Sequence, residues 1–494
     1  MTEHLVVLPI VLPALFAAIL LLPMGGIRVS RRRWYSLALM TLSLLVASWL
    51  LWQHTNTPAK NYLLGNWPEP FGILLVADQL SVLMVWLTTV LAWCVCLHST
   101  AGDDVKGAYF HPLLHFLLMG LNGAFLTGDL FNLFVFFEVL LISSYGLLIH
   151  GGGKKRVQSA LHYVLLNLVG SALFLLALAL LYSLLGTLHL AEMAARVRLL
   201  DPQQQWLLQS AAALLLLVFG LKAALLPLHF WLPAAYSQAS ASVAAMFAVM
   251  TKVGVYSLIR VFGALFAADA GALAGYGQTL LLWGGGLTMV LATVLLVAAA
   301  DLKKLSAAMV LLSAGILLSA VGFGDSALTA AALLYLVHSS WIGAVWFMLA
   351  ERIGQQRGTV GDRLVPGAAL KQALLLGWLF ALSALVVIGM PPFSGFVSKI
   401  WLLQASLPRS DAGWYVLLLL LSSLLALVAL SRAGSTIFWR SRGKPIDAVQ
   451  SGKTADAAIM LLLVMGFLLV VAGQWWMQYC IDAVAQLTVG GRGR

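Results

Sequence analysis

The chain has 494 residues, of which 62% are hydrophobic and only 10% are charged, and its mean hydropathy is +0.96. A soluble domain is typically about 45–50% apolar and about 25% charged, so this composition excludes an ordinary soluble protein. The formal net charge is +11, which would also suit a nucleic-acid partner. The distribution of the basic residues between the two sides of the membrane accounts for this charge without a nucleic-acid partner. The composition predicts a single bundle in a lipid bilayer.

Fourteen apolar stretches reach the length of about 20 residues that an α-helix needs to cross a bilayer. They lie near residues 5–24, 34–53, 72–98, 109–127, 130–149, 158–185, 206–236, 238–266, 277–299, 302–322, 327–349, 372–407, 413–438 and 457–479. The predicted fold class is therefore an all-α polytopic membrane protein with about 14 transmembrane helices. The first stretch is not predicted to be a cleaved signal, because Glu3 precedes it and a cluster of arginines follows it.

The basic residues predict an orientation in the membrane. If the N-terminus faces outward, the loops after odd-numbered spans and the adjoining helix ends hold 19 of the 29 lysines and arginines. The opposite side holds 7, and the remaining 3 are lysines inside spans. Such an excess is what the positive-inside rule requires of cytoplasmic loops. We expect both termini on the outer face and the loop 151–156 in the cytoplasm.

The seventh and twelfth spans are long and contain prolines. The stretch 206–236 contains Pro227 and Pro233, and the stretch 372–407 contains a Pro-Pro pair at 391–392. Proline removes a backbone donor and clashes with the preceding turn, so both helices are predicted to break. Broken backbone at membrane depth survives only where it is buried in protein or lines a watery cavity. Interrupted spans at matching positions of two halves indicate a transporter site.

The two interrupted spans are five spans apart, and an odd offset reverses direction across the membrane. The sequence thus predicts two inverted five-helix repeats. The predicted parts are an N-terminal three-helix segment at 1–107, a first repeat at 108–266, a second repeat at 277–438, and a C-terminal helix and tail at 457–494.

Four charged side chains lie well inside apolar spans: Glu138, Lys222, Lys252 and Lys399. A charge at that depth costs about 2.5–3.5 kcal/mol on insertion scales, so each is a functional hypothesis. The alternative is a set of buried ion pairs that only fixes helix packing. One acid cannot pair with three lysines, and the pattern therefore favours carriers of protons over ion pairs.

Two histidines lie where a proton relay would use an imidazole that titrates near neutral pH. His338 is in the middle of the eleventh span, and His229 follows the Pro227 break. A satisfied core histidine is an equally good interpretation of either one.

No cofactor and no metal is predicted. The sequence has no glycine-rich nucleotide loop after a strand, no nucleophile elbow and no haem motif. The three cysteines fit neither a disulfide framework nor a zinc spacing. We therefore expect a transporter subunit and not an enzyme.

Several motifs resemble the proton-translocating membrane subunits shared by respiratory complex I and the Mrp-type multisubunit cation/proton antiporters. They are GLKAALLPLHFWLP at 220–233, MTKVGVY at 250–256, FFE at 136–138 and PPFSGFVSK at 391–399. GNWPEPFGI at 65–73, VAD at 76–78 and MTK at 250–252 are most similar to the D-type subunit of the Mrp-type (Mnh/Pha) branch. The resemblance covers essentially the whole chain.

The resemblance implies a Glu138–Lys222 pair, a central connector at Lys252 and a terminal lysine of the second half-channel at Lys399. Two departures concern the centre of this path. Many relatives have Asp-Ala-His where this chain has Ala234-Ala235-Tyr236, and many carry a lysine shortly after the position of His338. The central relay is therefore expected to depend more on water and on His338.

The function implied is a membrane subunit of a multisubunit monovalent cation (Na⁺ or K⁺)/proton antiporter in the bacterial inner membrane. Its expected partners are the other membrane subunits, the lipid bilayer, and protons and monovalent cations as substrates. Two alternatives stay open at this point: a proton-pumping subunit of a complex I-like or hydrogenase-like redox complex, and a scaffold subunit with structural ion pairs. No acidic cluster with sodium-ligand spacing is visible, so the sequence does not name the cation.

Overall fold

The computed structural model describes residues 3–22, 29–55, 57–67, 72–441, 443–445 and 452–490. Within them the chain forms a helical bundle with a single small hairpin. The helices are α1 Leu8–Leu21, α2 Val29–Gln53, α3 Gln79–Ser99, α4 Phe110–Leu126, α5 Leu130–Ile149, α6 Lys154–Leu185, α7 Leu190–Arg198, α8 Gln205–Ala223, α9 Trp231–Gln238, α10 Ala241–Phe247, α11 Met250–Ser257, α12 Gly263–Leu265, α13 Gln278–Ala298, α14 Leu302–Gly322, α15 Ser326–Gln356, α16 Ala373–Ile388, α17 Ser394–Ser406, α18 Gly413–Gly434, α19 Lys453–Val471 and α20 Gly473–Gly490. Strands β1 Lys60–Leu63 and β2 Leu74–Ala77 pair antiparallel, with Lys60 opposite Ala77.

The structure confirms the all-α membrane fold class. Among the described residues, 11 helical segments are long and apolar enough to cross a bilayer by length and composition. They comprise α2, α3, α5, α6, α8, the run α10–α12, α13, α14, α15, α18 and α19. Three shorter apolar helices, α1, α4 and α16, lie where the sequence predicts further spans. The count of fourteen crossings stays a prediction.

Both proline-containing spans are broken as predicted. Helix α8 ends at Ala223, Ala224 takes a left-handed conformation with φ of 59°, and α9 begins at Trp231. Helix α16 ends at Ile388, followed by a left-handed Gly389 with φ of 92°, and α17 begins only after the prolines. A left-handed residue turns the chain away from the helix axis, and its amide caps a carbonyl of the preceding half-helix, that of Leu221 in α8 and that of Leu385 in α16.

The third and fourteenth spans differ from their predicted limits. The predicted stretch 72–98 starts as strand β2, and α3 begins only after Asp78, whose carboxylate accepts a hydrogen bond from the Ser81 amide at 2.8 Å. The stretch 457–479 is divided between α19 and α20. Hydropathy does not distinguish a four-residue apolar strand from one turn of an apolar helix. Here the pairing of β2 with β1 decides for the strand.

The centre of the bundle is built from α10–α12, α14 and α15. The apolar windows of α10–α12 and α15 are entirely buried, and that of α14 is 94% buried. Only 33% of the windows of α2, α18 and α19 and 39% of that of α6 are buried, which suits helices that face lipid or a partner protein. Lys252 lies on α11 and His338 on α15, so both occupy the centre of the molecule.

Candidate functional site

Lys222 lies in the last turn of α8, directly before the break. Its Nζ donates a hydrogen bond to Asn167 Oδ1 at 2.8 Å and lies 5.8 Å from the centroid of the Phe137 ring. The ammonium is therefore held by an amide oxygen and a ring face.

Glu138, on α5, accepts a hydrogen bond from the hydroxyl of Ser171. Asn167 and Ser171 are four residues apart on α6, so their side chains lie on the same face. Glu138 and Lys222 interact electrostatically, but among the described residues no direct ion pair joins them. The two charges that the resemblance pairs instead bond two different neutral side chains of α6.

Lys252 is fully buried at the start of α11, with an exposed fraction of 0%. Its Nζ donates a hydrogen bond of 2.6 Å to the Ser313 hydroxyl of α14. The hydroxyl in turn donates to the backbone carbonyl of Val310. Neither partner carries a charge, so in the part of the chain that the structure describes the ammonium has no carboxylate in contact with it.

Lys399 lies on α17 and reaches back to the end of α16. Its Nζ donates to the carbonyls of Val387 at 2.8 Å and Ile388 at 3.1 Å, and to the Ser423 hydroxyl at 2.8 Å. The two carbonyls are among the last of α16, where a helix has no internal donors left for them. Broken half-helices bind cations in this way, through their free terminal carbonyls.

The two broken helices thus present their lysines to the same kind of environment. The ammonium of Lys222 belongs to the last turn of α8, and that of Lys399 contacts the last turn of α16. In neither place does a carboxylate of the described residues contact the ammonium, although only Lys399 bonds the terminal carbonyls of a half-helix. This parallel supports the predicted repeat relation.

A small cavity connects Ser313 to Lys399. Its volume is about 30 Å³, which is enough for one or two water molecules. The polar residues that line it are Ser313, Tyr335, His338, Ser339, Lys399 and Ser422. Trp346 also lines it, and the buried indole Nε1 of Trp346 has no hydrogen-bond partner among the described residues. A buried donor without a protein partner is commonly satisfied by water.

His338 borders this cavity on one side, and the backbone of the broken helix packs closely against its ring on the other. Its Nδ1 shares a hydrogen bond of 3.0 Å with the Ser394 hydroxyl at the start of α17. A Cβ atom on Gly395 would lie 1.8 Å from the Val386 carbonyl oxygen and 3.2 Å from His338 Cε1. Only glycine allows the two halves of the broken helix to approach this closely.

His229 lies in the segment between α8 and α9 and does not line the cavity. It is buried, and its Nδ1 has no partner among the described residues. Its ring packs against Phe230 with centroids 4.5 Å apart. The structure thus brings four of the six predicted residues into two groups: Glu138 with Lys222, and His338 with Lys399.

The two halves of the site meet where α11 crosses α8. A Cβ atom on Gly254 would lie 2.4 Å from the Ala223 amide nitrogen and 2.8 Å from the Lys222 carbonyl carbon. This close crossing places Lys252, two residues before Gly254, on a helix that touches the backbone of Lys222. The hydrogen bonds of the two lysines nevertheless run to different partners, Asn167 and Ser313.

Sequence reasoning missed the neutral partners of the charges. They are Asn167, Ser171, Ser313, Ser394 and Ser423. A usable signal exists only for Asn167 and Ser171, which are polar residues at helical spacing in an otherwise apolar span. Single serines are common in membrane helices and do not by themselves indicate a site.

The sequence and the fold are similar to those of known membrane proteins. Residues 127–427 match the family model of the transmembrane NADH:quinone oxidoreductase/Mrp antiporter proteins. This chain belongs to that family.

Two curated relatives and one solved structure show the extent of the similarity. The D-type subunit of a probable K⁺/H⁺ antiporter of Rhizobium meliloti is 41% identical over 89% of this chain and 87% of its own length. The D-type subunit of the Na⁺/H⁺ antiporter of Bacillus subtilis is 34% identical over 98% of this chain and 97% of its own length. A chain of the Mrp complex from Dietzia sp. superimposes with a TM-score of 0.87 at 24% identity, covering 99% of this chain and 98% of that one, and shares the fold.

Proposed function

We infer that this chain is the D-type membrane subunit of a multisubunit monovalent cation/proton antiporter, and not an enzyme. The names of the relatives in Rhizobium meliloti and Bacillus subtilis support this, and their high coverage favours it over a component of a redox complex. The name of the first relative gives K⁺ and that of the second gives Na⁺, so both cations are candidate substrates here. The other subunits of such an antiporter are the partners.

One structural observation carries the assignment of a proton path to this chain. Lys222, Lys252 and Lys399 all donate to neutral acceptors: an amide oxygen, hydroxyls and backbone carbonyls. A lysine in a structural ion pair cannot lose its proton without stranding a buried carboxylate. Lys252 and Lys399 can lose theirs with only neutral partners left behind, which favours proton carriage over a scaffold role, whereas Lys222 also interacts electrostatically with Glu138.

The proposed path runs Glu138, Lys222, Lys252, His338, Lys399. Ser171 and Asn167, four residues apart on α6, bond the first two residues, and Ser313 joins Lys252 to the water-sized cavity that the last two line. A proton that leaves one site changes the charge felt by the next and favours transfer there. The repeats 108–266 and 277–438 would each supply one half of this path, and His229 lies outside it.

Reconstitution tests the function directly. Vesicles that contain the complete set of subunits should exchange Na⁺ or K⁺ for protons, whereas vesicles with this chain alone should not. The reason is that the sequence has intramembrane charges suited to a proton path but no acidic cluster with sodium-ligand spacing. Proton fluxes reported by a pH-sensitive dye after a cation pulse would measure this. Full exchange by the isolated chain would contradict the dependence on partners.

We propose that the chain lies in the bacterial cell membrane with both termini outside. The support is the 19-to-7 distribution of basic residues. A reporter that fluoresces only in the cytoplasm should be bright when inserted in the exposed loop at Gly151–Gly153 and dark when fused after Arg494, which lies outside the described residues. Fluorescence from the C-terminal fusion together with a dark loop insertion would reverse the orientation.

A further inference from the structure

A second group of charged residues lies between the end of α3 and the end of α15. We call His98, Asp103, Lys106 and Glu351 the α3–α15 cluster. A ring nitrogen of His98 and carboxylate oxygens of Asp103 and Glu351 all lie within 4.8 Å of one another. Lys106 Nζ lies 2.5 Å from Asp103 Oδ1 and 3.3 Å from Glu351 Oε1.

The surroundings of the cluster contain three further polar contacts. Arg352 of α15 forms a buried ion pair with Asp456 of α19 at 2.7 Å, and both interact electrostatically with His98. His150 Nε2 shares a hydrogen bond of 2.7 Å with the Asp103 backbone carbonyl. The neighbouring Asp104 is separately paired with Arg33 at 2.9 Å.

The cluster carries an unbalanced charge. The carboxylates of Asp103, Glu351 and Asp456 face the cations Lys106 and Arg352, which leaves one net negative charge when His98 is neutral. Asp103 is buried, and Lys106 outweighs the effect of burial and holds the pKa of that carboxyl well below its usual range. Its two carboxylate partners raise the pKa of Lys106. Both groups therefore stay ionised near neutral pH, and one more positive charge would balance the cluster.

The side chain that is free to take this charge is His98. It is 3% exposed; its Nδ1 shares a hydrogen bond of 2.9 Å with the Ser242 hydroxyl, and its Nε2 has no partner in the part of the chain that the structure describes. The oxygens of Asp103 are already occupied by Lys106 and by the Ser242 amide. Hard cations prefer oxygen ligands, whereas an imidazole nitrogen readily takes a proton.

We propose that the α3–α15 cluster is a proton-binding site, with His98 as the acceptor, that exchanges protons between the aqueous phase and the buried centre of the bundle at α10. Asp103 and His98 both bond Ser242, in the first turn of α10, whose residues are all buried. Lys106 is 41% exposed and connects the cluster to solvent. The proposal rests on the proton path described above and adds its aqueous opening.

Two charge changes with opposite expected effects test the proposal in the assembled antiporter. The quantity measured is the pH at half-maximal exchange rate, varied on the side of the membrane that carries the cluster. Glu351→Gln removes a negative charge, so protons should bind less tightly and this pH should fall by about one unit. Lys106→Gln removes a positive charge and should raise it by about one unit. His162→Gln, at an exposed position of α6, is the matched control and should not shift it.

His98→Gln should preserve the hydrogen bond to Ser242 but abolish the response to both charge changes, since glutamine takes no proton. Rates are normalised to the amount of assembled complex, and both charge variants keep a polar side chain for their neighbours. If Glu351→Gln and Lys106→Gln leave the pH at half-maximal rate unchanged, or shift it equally, this proposal is wrong. If Lys222→Ala is inactive in the same assay, the proposed proton path itself still stands. An inactive wild-type complex would instead count against the proposed function.

Discussion

Replacing Lys222 with alanine is expected to slow cation/proton exchange by at least about a hundredfold, the smallest effect typical of losing a positioned proton-transfer group. The Lys222 ammonium contacts Asn167, which shares a face of α6 with Ser171, the hydroxyl donor to Glu138. Without this ammonium, the Glu138 carboxylate keeps the bond from Ser171 but loses the cation with which it interacts electrostatically, so the first transfer of the path has no acceptor.

Loss of activity in this variant should not reflect loss of the protein. Removing an ammonium from the bilayer centre relieves about 2.5–3.5 kcal/mol on insertion scales, so membrane levels should be normal. Lys155→Ala, at an exposed position of α6, removes the same side chain and should exchange cations normally. Dye-based exchange in vesicles, normalised to assembled complex, measures both. Glu138→Ala and Lys399→Ala should fail to a similar degree, and a Lys222→Ala complex with half its normal rate would argue against the path.

Lys252→Arg distinguishes proton transfer from charge balance. Arginine keeps the positive charge but cannot release its proton under physiological conditions. If Lys252 carries protons, the variant should lose exchange by roughly a hundredfold or more. If it only balances charge next to Ser313, the variant should work.

Lys252→His is the variant to compare with Lys252→Arg, because histidine is smaller than lysine and can both bind and release a proton. We expect it to retain partial exchange with a changed pH dependence, while the arginine variant has none. Initial rates across pH, at equal membrane levels, measure the difference. Normal exchange by Lys252→Arg combined with no exchange by Lys252→His would make Lys252 a fixed charge and remove the central step of the path.

Much of the architecture could be predicted from the sequence, because membrane solvation acts on each span separately. An apolar stretch of about 20 residues crosses a bilayer whatever its neighbours are, so composition is enough to predict most helices. Proline likewise breaks a helix by local sterics, and both predicted breaks are present. The four intramembrane charges also stand out by hydropathy alone.

The partners of those charges were decided only by the tertiary structure. A hydrogen bond from Lys252 to Ser313 joins residues 61 positions apart, and that from Lys222 to Asn167 spans 55. No local pattern specifies which neutral side chain a folded bundle brings within hydrogen-bonding distance of an ammonium. The α3–α15 cluster is similarly invisible in the sequence, since Asp103 and Glu351 approach each other only after α3 and α15 have packed. Hydropathy identified which residues are costly in a membrane, while packing determined what compensates them.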